Sequence, residues 1–182
     1  MRGSTVKRMG LAATLVILLV GMGRLGYSAQ TDTQLINECQ QTMALYRQKD
    51  PSIDGFFRRS VAYVVFPSIG KGGLGIGAAH GTGILFENDA PVGKVTMNQV
   101  SVGAQAGGQE FSQIVFYAVP KAVAALKQGK AELSGQLSAV ALNAGAAADA
   151  KFKNGVAVFT AAKGGLMFEA SVGGQKFSYA AF

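Results

Sequence analysis

A short pattern that could bind an anion occurs twice in the sequence. Lys71-Gly72-Gly73-Leu74 returns near the end of the chain as Lys163-Gly164-Gly165-Leu166, and each copy follows an apolar run. A lysine ammonium beside the backbone N–H groups of glycines can hold a phosphate. The repeat therefore predicts a pair of anion-binding turns, with two solvated turn lysines as the alternative. The candidate ligand-binding residues are Lys71, Gly72, Gly73, Lys163, Gly164 and Gly165.

Glycine takes every second position between residues 73 and 77. In a strand, Leu74, Ile76 and Ala78 would share one face, and the other face would be almost bare backbone. Such a bare face indicates close approach by another strand or by a ligand. The segment does not complete a nucleotide-binding motif, because His80 stands where the dinucleotide fingerprint requires its third glycine.

Other chemistry-bearing residues are few. His80 is the single histidine and Cys39 the single cysteine, and no acidic cluster with metal-ligand spacing is present. Cys39 lies on the apolar stripe of a predicted helix, where a thiol is usually unreactive. Glu87 and Asp89 share a loop without the pattern of a calcium site. We therefore predict no catalytic residue, no metal site and no cofactor, and hence a non-enzymatic protein.

The first 29 residues have the layout of a secretory signal peptide. A basic start precedes an apolar run, Gly10 to Gly23, that is shorter than the roughly 20 residues of a membrane span. We expect export to the periplasm or secretion, with an uncleaved inner-membrane anchor as the alternative. The segment contains four of the 17 basic residues and none of the ten acidic ones, so its removal lowers the net charge from +7 to +3. This balance, without a basic patch, does not favour nucleic-acid binding.

Residues 30–60 are predicted to be helical. Thr31 to Lys49 carries an apolar stripe at helical spacing, Thr31 or Thr33 can cap it, and Asp50-Pro51 ends it. A second, short helix follows. It contains two aromatic and two basic residues, which could contact a membrane interface or form a buried pair beside two solvated arginines. These possible membrane-contact residues are Phe56, Phe57, Arg58 and Arg59.

Residues 61–182 are predicted to be rich in β-structure and to form a single domain with residues 30–60. The apolar pattern favours about nine strands. We expect tight turns at His80-Gly81, at 88–91 and at 107–108, and one inserted helix from Pro120 to Gly129. Most of Glu132 to Ala147 is assigned to strand. The fold class is therefore α+β, with a strongly bent, barrel-like antiparallel sheet.

An ordered series of motifs resembles the SYLF lipid-binding domain family. The resemblance covers roughly residues 53–182. The motifs are Tyr63-Val-Val-Phe66-Pro67-Ser68-x-x-Lys71-x-Gly-x-Gly75-x-Gly77, Gly81-x-Gly83, Ser101-Val-Gly103-x-Gln105-x-Gly107-x-Gln109 and Phe159-x-x-x-Lys163-Gly164. One departure lies in residues 141–145, where the family often has a Gly-Pro that this chain lacks.

The resemblance implies a non-enzymatic module that binds phospholipid or an anionic membrane surface in the bacterial cell envelope. We expect the head group to lie near Lys71 and Lys163. The phosphoinositide and actin binding of eukaryotic relatives is not carried over to an exported bacterial protein. The alternative is a structural or assembly protein that packs its glycine-bearing face on a protein partner.

Overall fold

The computed structural model describes residues 31–133, 139–163 and 174–182. They form an α+β fold whose mostly antiparallel sheet is curled into a half-barrel, as the sequence predicts. The helices are α1 (Asp32–Lys49), α2 (Asp54–Arg59), α3 (Pro120–Lys127) and α4 (Ala146–Asp149), with a 3₁₀ turn at Pro51–Ile53. The strands are β1 (Ala62–Glu87), β2 (Ala90–Tyr117), β3 (Glu132–Leu133), β4 (Val140–Ala141), β5 (Val156–Ala162) and β6 (Gln175–Ala181).

Two very long strands replace six of the predicted short ones. β1 and β2 pair along their whole length, from Ala62 opposite Tyr117 to Glu87 opposite Ala90. The turn at 88–91 is confirmed, whereas His80-Gly81 and 107–108 lie inside continuous strands. The register shifts between Phe66 and Ile69 and again between Leu74 and Ile76. Bulges of this kind bend a strand without ending it, which explains why the predicted turns are wrong.

β2 lies at the centre of the sheet. Its first part pairs with β6 and its last part with β5, so the strand order is β3-β6-β2-β5-β4, with β1 beside β2. The β4–β5 pair is parallel. The predicted strand over 132–147 is largely wrong: its described residues contain only β3, β4 and the start of α4, and 134–138 lie outside the description.

Two glycines lie on the inner face of the sheet, the face that lines the half-barrel. They allow the second half of β1 to pack closely against its first half. A Cβ at Gly83 would collide with the backbone carbonyl of Val65, and one at Gly81 would lie 2.7 Å from Cγ1 of Ile69. Gly81 and Gly83 follow the predicted bare face of residues 73–77 on the same side of β1, and at these two positions the close approach is made by the same strand.

The sheet separates two apolar cores. The outer core lies between the sheet and α1, α2 and α4, and includes Cys39, Tyr46, Phe56, Tyr63, Ile84, Phe116 and Phe159. The inner core fills the half-barrel, and includes Phe66, Ile69, Leu85, Met97, Phe111, Val115 and Phe177. Helix α3 packs against this inner core through Val123 and Leu126, so it does not cover the outer face.

The N-terminal helices are fixed by specific caps. Thr31 and Gln34 form a reciprocal capping box at the start of α1, as the predicted Thr31 cap requires. At the other end, Asp50 Oδ1 accepts hydrogen bonds from the backbone and hydroxyl of Ser52, and its Oδ2 accepts one from Ala147 N at 2.7 Å. This buried carboxylate therefore joins the end of α1 to α4.

Candidate functional site

Strand β2 brings the two lysine segments into one sheet. Glu110 of β2 pairs with Gly70 of β1 on one side, and its carbonyl accepts a hydrogen bond from Lys163 N at 3.0 Å on the other. Lys71 is opposite the neighbouring Gln109. Because adjacent strands are about 4.8 Å apart, the two lysine backbones lie about 10 Å from each other across β2.

The two lysines nevertheless leave opposite faces of the sheet. Lys71 is paired with Gln109 and Lys163 lies across from Glu110, and successive residues of a strand point to opposite faces. Lys71 is therefore on the inner face, at the mouth of the half-barrel, and Lys163 is on the outer face. One small head group cannot contact both ammonium groups on the same face.

The two ammonium groups also differ in their partners. Lys163 Nζ lies 3.2 Å from Oε1 of Glu110, and the Ser68 hydroxyl donates to the same oxygen at 2.7 Å. The bond from Ser68 and the contact with Lys163 lower the pKa of the Glu110 carboxyl. The Lys71 side chain is half-buried, and its ammonium group makes no hydrogen bond or ion pair within the described residues. Of the two ammonium groups, that of Lys71 is therefore the one whose charge no described carboxylate offsets.

The predicted turn around Lys71 is a paired strand. Gly72 lies opposite Gly108, and Gly73 lies opposite Gly107. Gly72 and its partner Gly108 are exposed, and Gly73 is half-buried, so the main chain is accessible at the Gly72–Gly108 pair. A Cβ at Gly73 would collide with the carbonyl of Ile76, which explains the glycine there. Gly164 and Gly165 lie outside the described residues.

The aromatic pair of α2 belongs to the outer core. Phe56 is 0% and Phe57 8% exposed, and their ring centroids lie 4.7 Å from Phe159 and 4.9 Å from Phe116, respectively. Burial excludes these two rings from a membrane contact in this fold, so that interpretation is corrected. The interpretation as a buried pair agrees with the structure. Arg58 and Arg59 are exposed.

The inner face carries a buried glutamine cluster that sequence patterns did not indicate. Gln113 and Gln175 exchange side-chain hydrogen bonds of 2.9 and 3.1 Å, and Gln175 Nε2 donates to Gln99 at 3.3 Å. Gln99 and Gln175 are direct partners in the β2–β6 pair, and Gln113, further along β2, reaches them because the sheet curls. The reciprocal bonds satisfy polar groups that would otherwise destabilise the inner core.

The outer face carries an apolar pair that is exposed. Ile76 is 66% and Val100 70% exposed. Val100 is opposite Ala78, two residues from Ile76, so the two side chains are diagonal neighbours on one face. The alternation predicts that Ile76 and Ala78 share the face opposite to the glycines, but not which face points outward. The position of Val100 depends on the shifted register and was not predictable.

The single cysteine and the single histidine lie in different environments. Burial raises the pKa of the Cys39 thiol to about 12, and its Sγ donates to the carbonyl of Val65 at 3.2 Å. His80 is exposed and its Nδ1 lies 2.8 Å from Oδ1 of Asn98. Within the described ranges, no group of three or more His, Cys, Asp and Glu side chains could hold a metal ion.

A cavity of about 370 Å³ lies between α3 and the hairpin turn that joins β1 to β2. The residues that line it are Val61, Glu87, Asn88, Pro120, Val123, Ala124 and Lys127. Lys127 and Glu87 form an ion pair of 2.9 Å beside it. None of the predicted site residues lines this cavity, so it is separate from the lysine pair.

Comparison with known proteins gives no assignment: no family model matches the chain, and no curated protein matches it. Among the residues that the structure describes, no helix combines the length and the apolar character needed to span a membrane. Residues 1–29, the predicted signal peptide, lie outside the described residues.

Proposed function

We propose that the protein is a non-enzymatic module that binds anionic phospholipid at the surface of a bacterial envelope membrane. The observation that carries the proposal is the position of Lys71 and Lys163 on either side of β2, about 10 Å apart, beside the exposed main chain of Gly72 and Gly108. The resemblance to the SYLF family supports the same assignment.

The two lysines have different roles in this proposal. Lys71 is the primary contact for a lipid phosphate, because its ammonium has no partner among the described side chains. The Lys163 ammonium must break its ion pair with Glu110 before it can bind a phosphate. An exposed ion pair contributes little to stability, so a phosphate can replace the carboxylate at small cost. With the lysines on opposite faces, the proposal requires separate head groups, as a membrane surface provides.

Vesicle flotation tests the proposal. The chain is produced in a bacterial host with residues 1–29 included, and intact mass determines whether that segment is removed, as the signal-peptide prediction requires. Vesicles contain phosphatidylcholine alone or with phosphatidylglycerol. We expect binding only to the anionic vesicles, and weaker binding at high salt, because surface charges are screened.

Charge-removing variants locate the contact. A lysine near an anionic surface contributes about 1 kcal/mol, so Lys71→Gln should weaken vesicle binding roughly fivefold. Lys163→Gln should have a smaller effect, because the charge of Lys163 is already offset by Glu110 in its ion pair. Lys121→Gln and Lys151→Gln, at exposed positions outside the site, are the matched controls. Equal affinity of the Lys71→Gln and Lys151→Gln proteins for anionic vesicles would contradict the assigned role of Lys71.

The alternative, an assembly protein that packs its glycine-bearing face on a partner, has less support. At Gly81 and Gly83 that face is filled by the first half of β1. A partner could reach these glycines only if the half-barrel opened. A stable oligomer that does not float with vesicles would nevertheless favour this alternative.

A further inference from the structure

The outer face of the β1–β2 ribbon has an apolar apex where the ribbon bends. Ile76 and Val100 are the two most exposed large hydrophobic side chains in the described part of the chain. Ala78, directly opposite Val100, is also exposed. These three residues form one outward patch, which we call the apex.

A polar row with one lysine borders the apex on the same face. His80 lies opposite Asn98, and Asn98 lies opposite Lys176 of β6. All three are exposed. Glu132, opposite Lys176 on β3, is the carboxylate of this row. The ribbon therefore passes from apolar to polar within a few residues of the bend.

We propose that the apex enters the interfacial layer of an anionic bilayer, and that Ile76 and Val100 are the residues that insert. This inference rests on the proposed function and adds the surface that contacts the acyl chains. Peripheral proteins combine insertion of apolar side chains with electrostatic attraction by basic ones. On this face, Lys163 and Lys176 are exposed basic residues.

The size of the apex favours a bilayer over a second copy of the chain. A stable protein interface buries about 800 Å² on each partner, which two aliphatic side chains and an alanine cannot supply. Two inserted aliphatic side chains are sufficient to strengthen a membrane contact that lysines already provide. Lys163 and Lys176, which share the outer face with the apex, supply the attraction, and the apex supplies the anchoring.

A single tryptophan gives a direct test, because the chain contains no tryptophan. In Val100→Trp protein, anionic vesicles should shift the emission to shorter wavelength, and brominated lipids should quench it. Val61→Trp is the matched control, since Val61 is also an exposed valine but lies at the start of the domain's first strand. The control should show neither change.

A second pair of variants measures the contribution to binding. Ile76→Thr with Val100→Thr keeps β-branched side chains that suit a strand, and should weaken binding to anionic vesicles by at least about tenfold. Val61→Thr should leave binding unchanged. Circular dichroism confirms that each variant is folded.

The outcomes separate this inference from the proposed function. Vesicle binding that depends on Lys71 but leaves the Val100→Trp emission unchanged would overturn insertion and leave the head-group contact in place. Absence of binding to any anionic vesicle would overturn both. A blue shift that grows with protein concentration without vesicles would show that a second copy covers the apex, and would also overturn the proposal.

Discussion

The outer face of the sheet has a covered region and a bare region, built from the same two strands. Under α1 and α2, its outward side chains are large, apolar and buried, as with Tyr63, Ile84 and Phe116. At the bend, the outward side chains Ile76 and Val100 are also apolar, yet they are mostly exposed. Apolar character alone therefore does not distinguish a core position from a surface position in this ribbon.

The difference lies in what packs over each region. In the covered region, Tyr46 of α1 donates a hydrogen bond to the carbonyl of Ser112 at 2.9 Å, and Phe56 of α2 packs on Phe159. The helices end before they reach the bend. If the covered region maintains the fold and the bare region binds a partner, substitutions in the two regions should affect different measurements.

The largest expected effect is in the covered region, at Phe56. Phe56→Ala leaves a cavity among Phe116, Phe152 and Phe159, and should destabilise the protein by about 3–5 kcal/mol. Phe182→Ala, the same substitution at a 55% exposed position, should change stability by less than about 0.5 kcal/mol. Chemical denaturation measures both. Similar midpoints for the two variants would contradict the assignment of Phe56 to the core.

The buried carboxylate of Asp50 should make the free energy of unfolding depend on pH in the acidic range. Burial alone would raise its pKa, but hydrogen bonds from Ser52, Ala147 and Gly145 lower it below the ordinary value. The unfolded chain then takes up the proton more readily, so this contribution is complete above about pH 4 and is lost as the pH falls further. Asp50→Asn should cost about 1–3 kcal/mol at neutral pH.

The same variant provides the test of the acid effect. Unfolding free energy measured between neutral pH and about pH 3 should fall less steeply in Asp50→Asn than in the parent protein. Asp149→Asn, at an exposed position of α4, is the control and should keep the parent slope. Parallel profiles for the parent and Asp50→Asn would show that another group causes the acid dependence.

Much of the covered region could be predicted from the sequence. The stripe of α1, the Thr31 cap and the end of the helix at Asp50 are local signals, and the structure confirms them. The partner of Asp50 could not be predicted, because Ala147 is distant in sequence and the segment before it was expected to be a strand. A local pattern identifies a cap, but it does not identify a contact between distant elements.

The bend was predictable only in part. The alternating glycines indicated a curved sheet and placed Ile76 on the face opposite to them. They did not show that β1 continues through the glycines, because a bulge and a turn have similar local composition. The opposite faces of Lys71 and Lys163 follow from the register of β2, which is set by bulges that no pattern in the sequence specifies.

Removal of the hydroxyl group from two buried tyrosines should have a smaller effect on stability. Tyr46→Phe removes the hydrogen bond to Ser112 and should cost about 1 kcal/mol. Tyr117→Phe, in the inner core, removes a buried hydroxyl that has no partner among the described residues, and should be neutral or stabilising. Thermal denaturation distinguishes the two. A larger loss of stability from Tyr117→Phe than from Tyr46→Phe would contradict these assignments.

The smallest expected effect on stability is at the apex, where it is the most informative. Ile76→Thr with Val100→Thr should change the free energy of unfolding by less than about 0.5 kcal/mol, because both side chains already face solvent. Met43→Thr, on the buried face of α1, is the comparison and should cost at least about 2 kcal/mol. A clear loss of stability at the apex would mean that these side chains support the fold, since surface positions tolerate such changes. Unchanged stability combined with lost vesicle binding would separate the two regions by function, because the same type of substitution would then act on folding in one and on binding in the other.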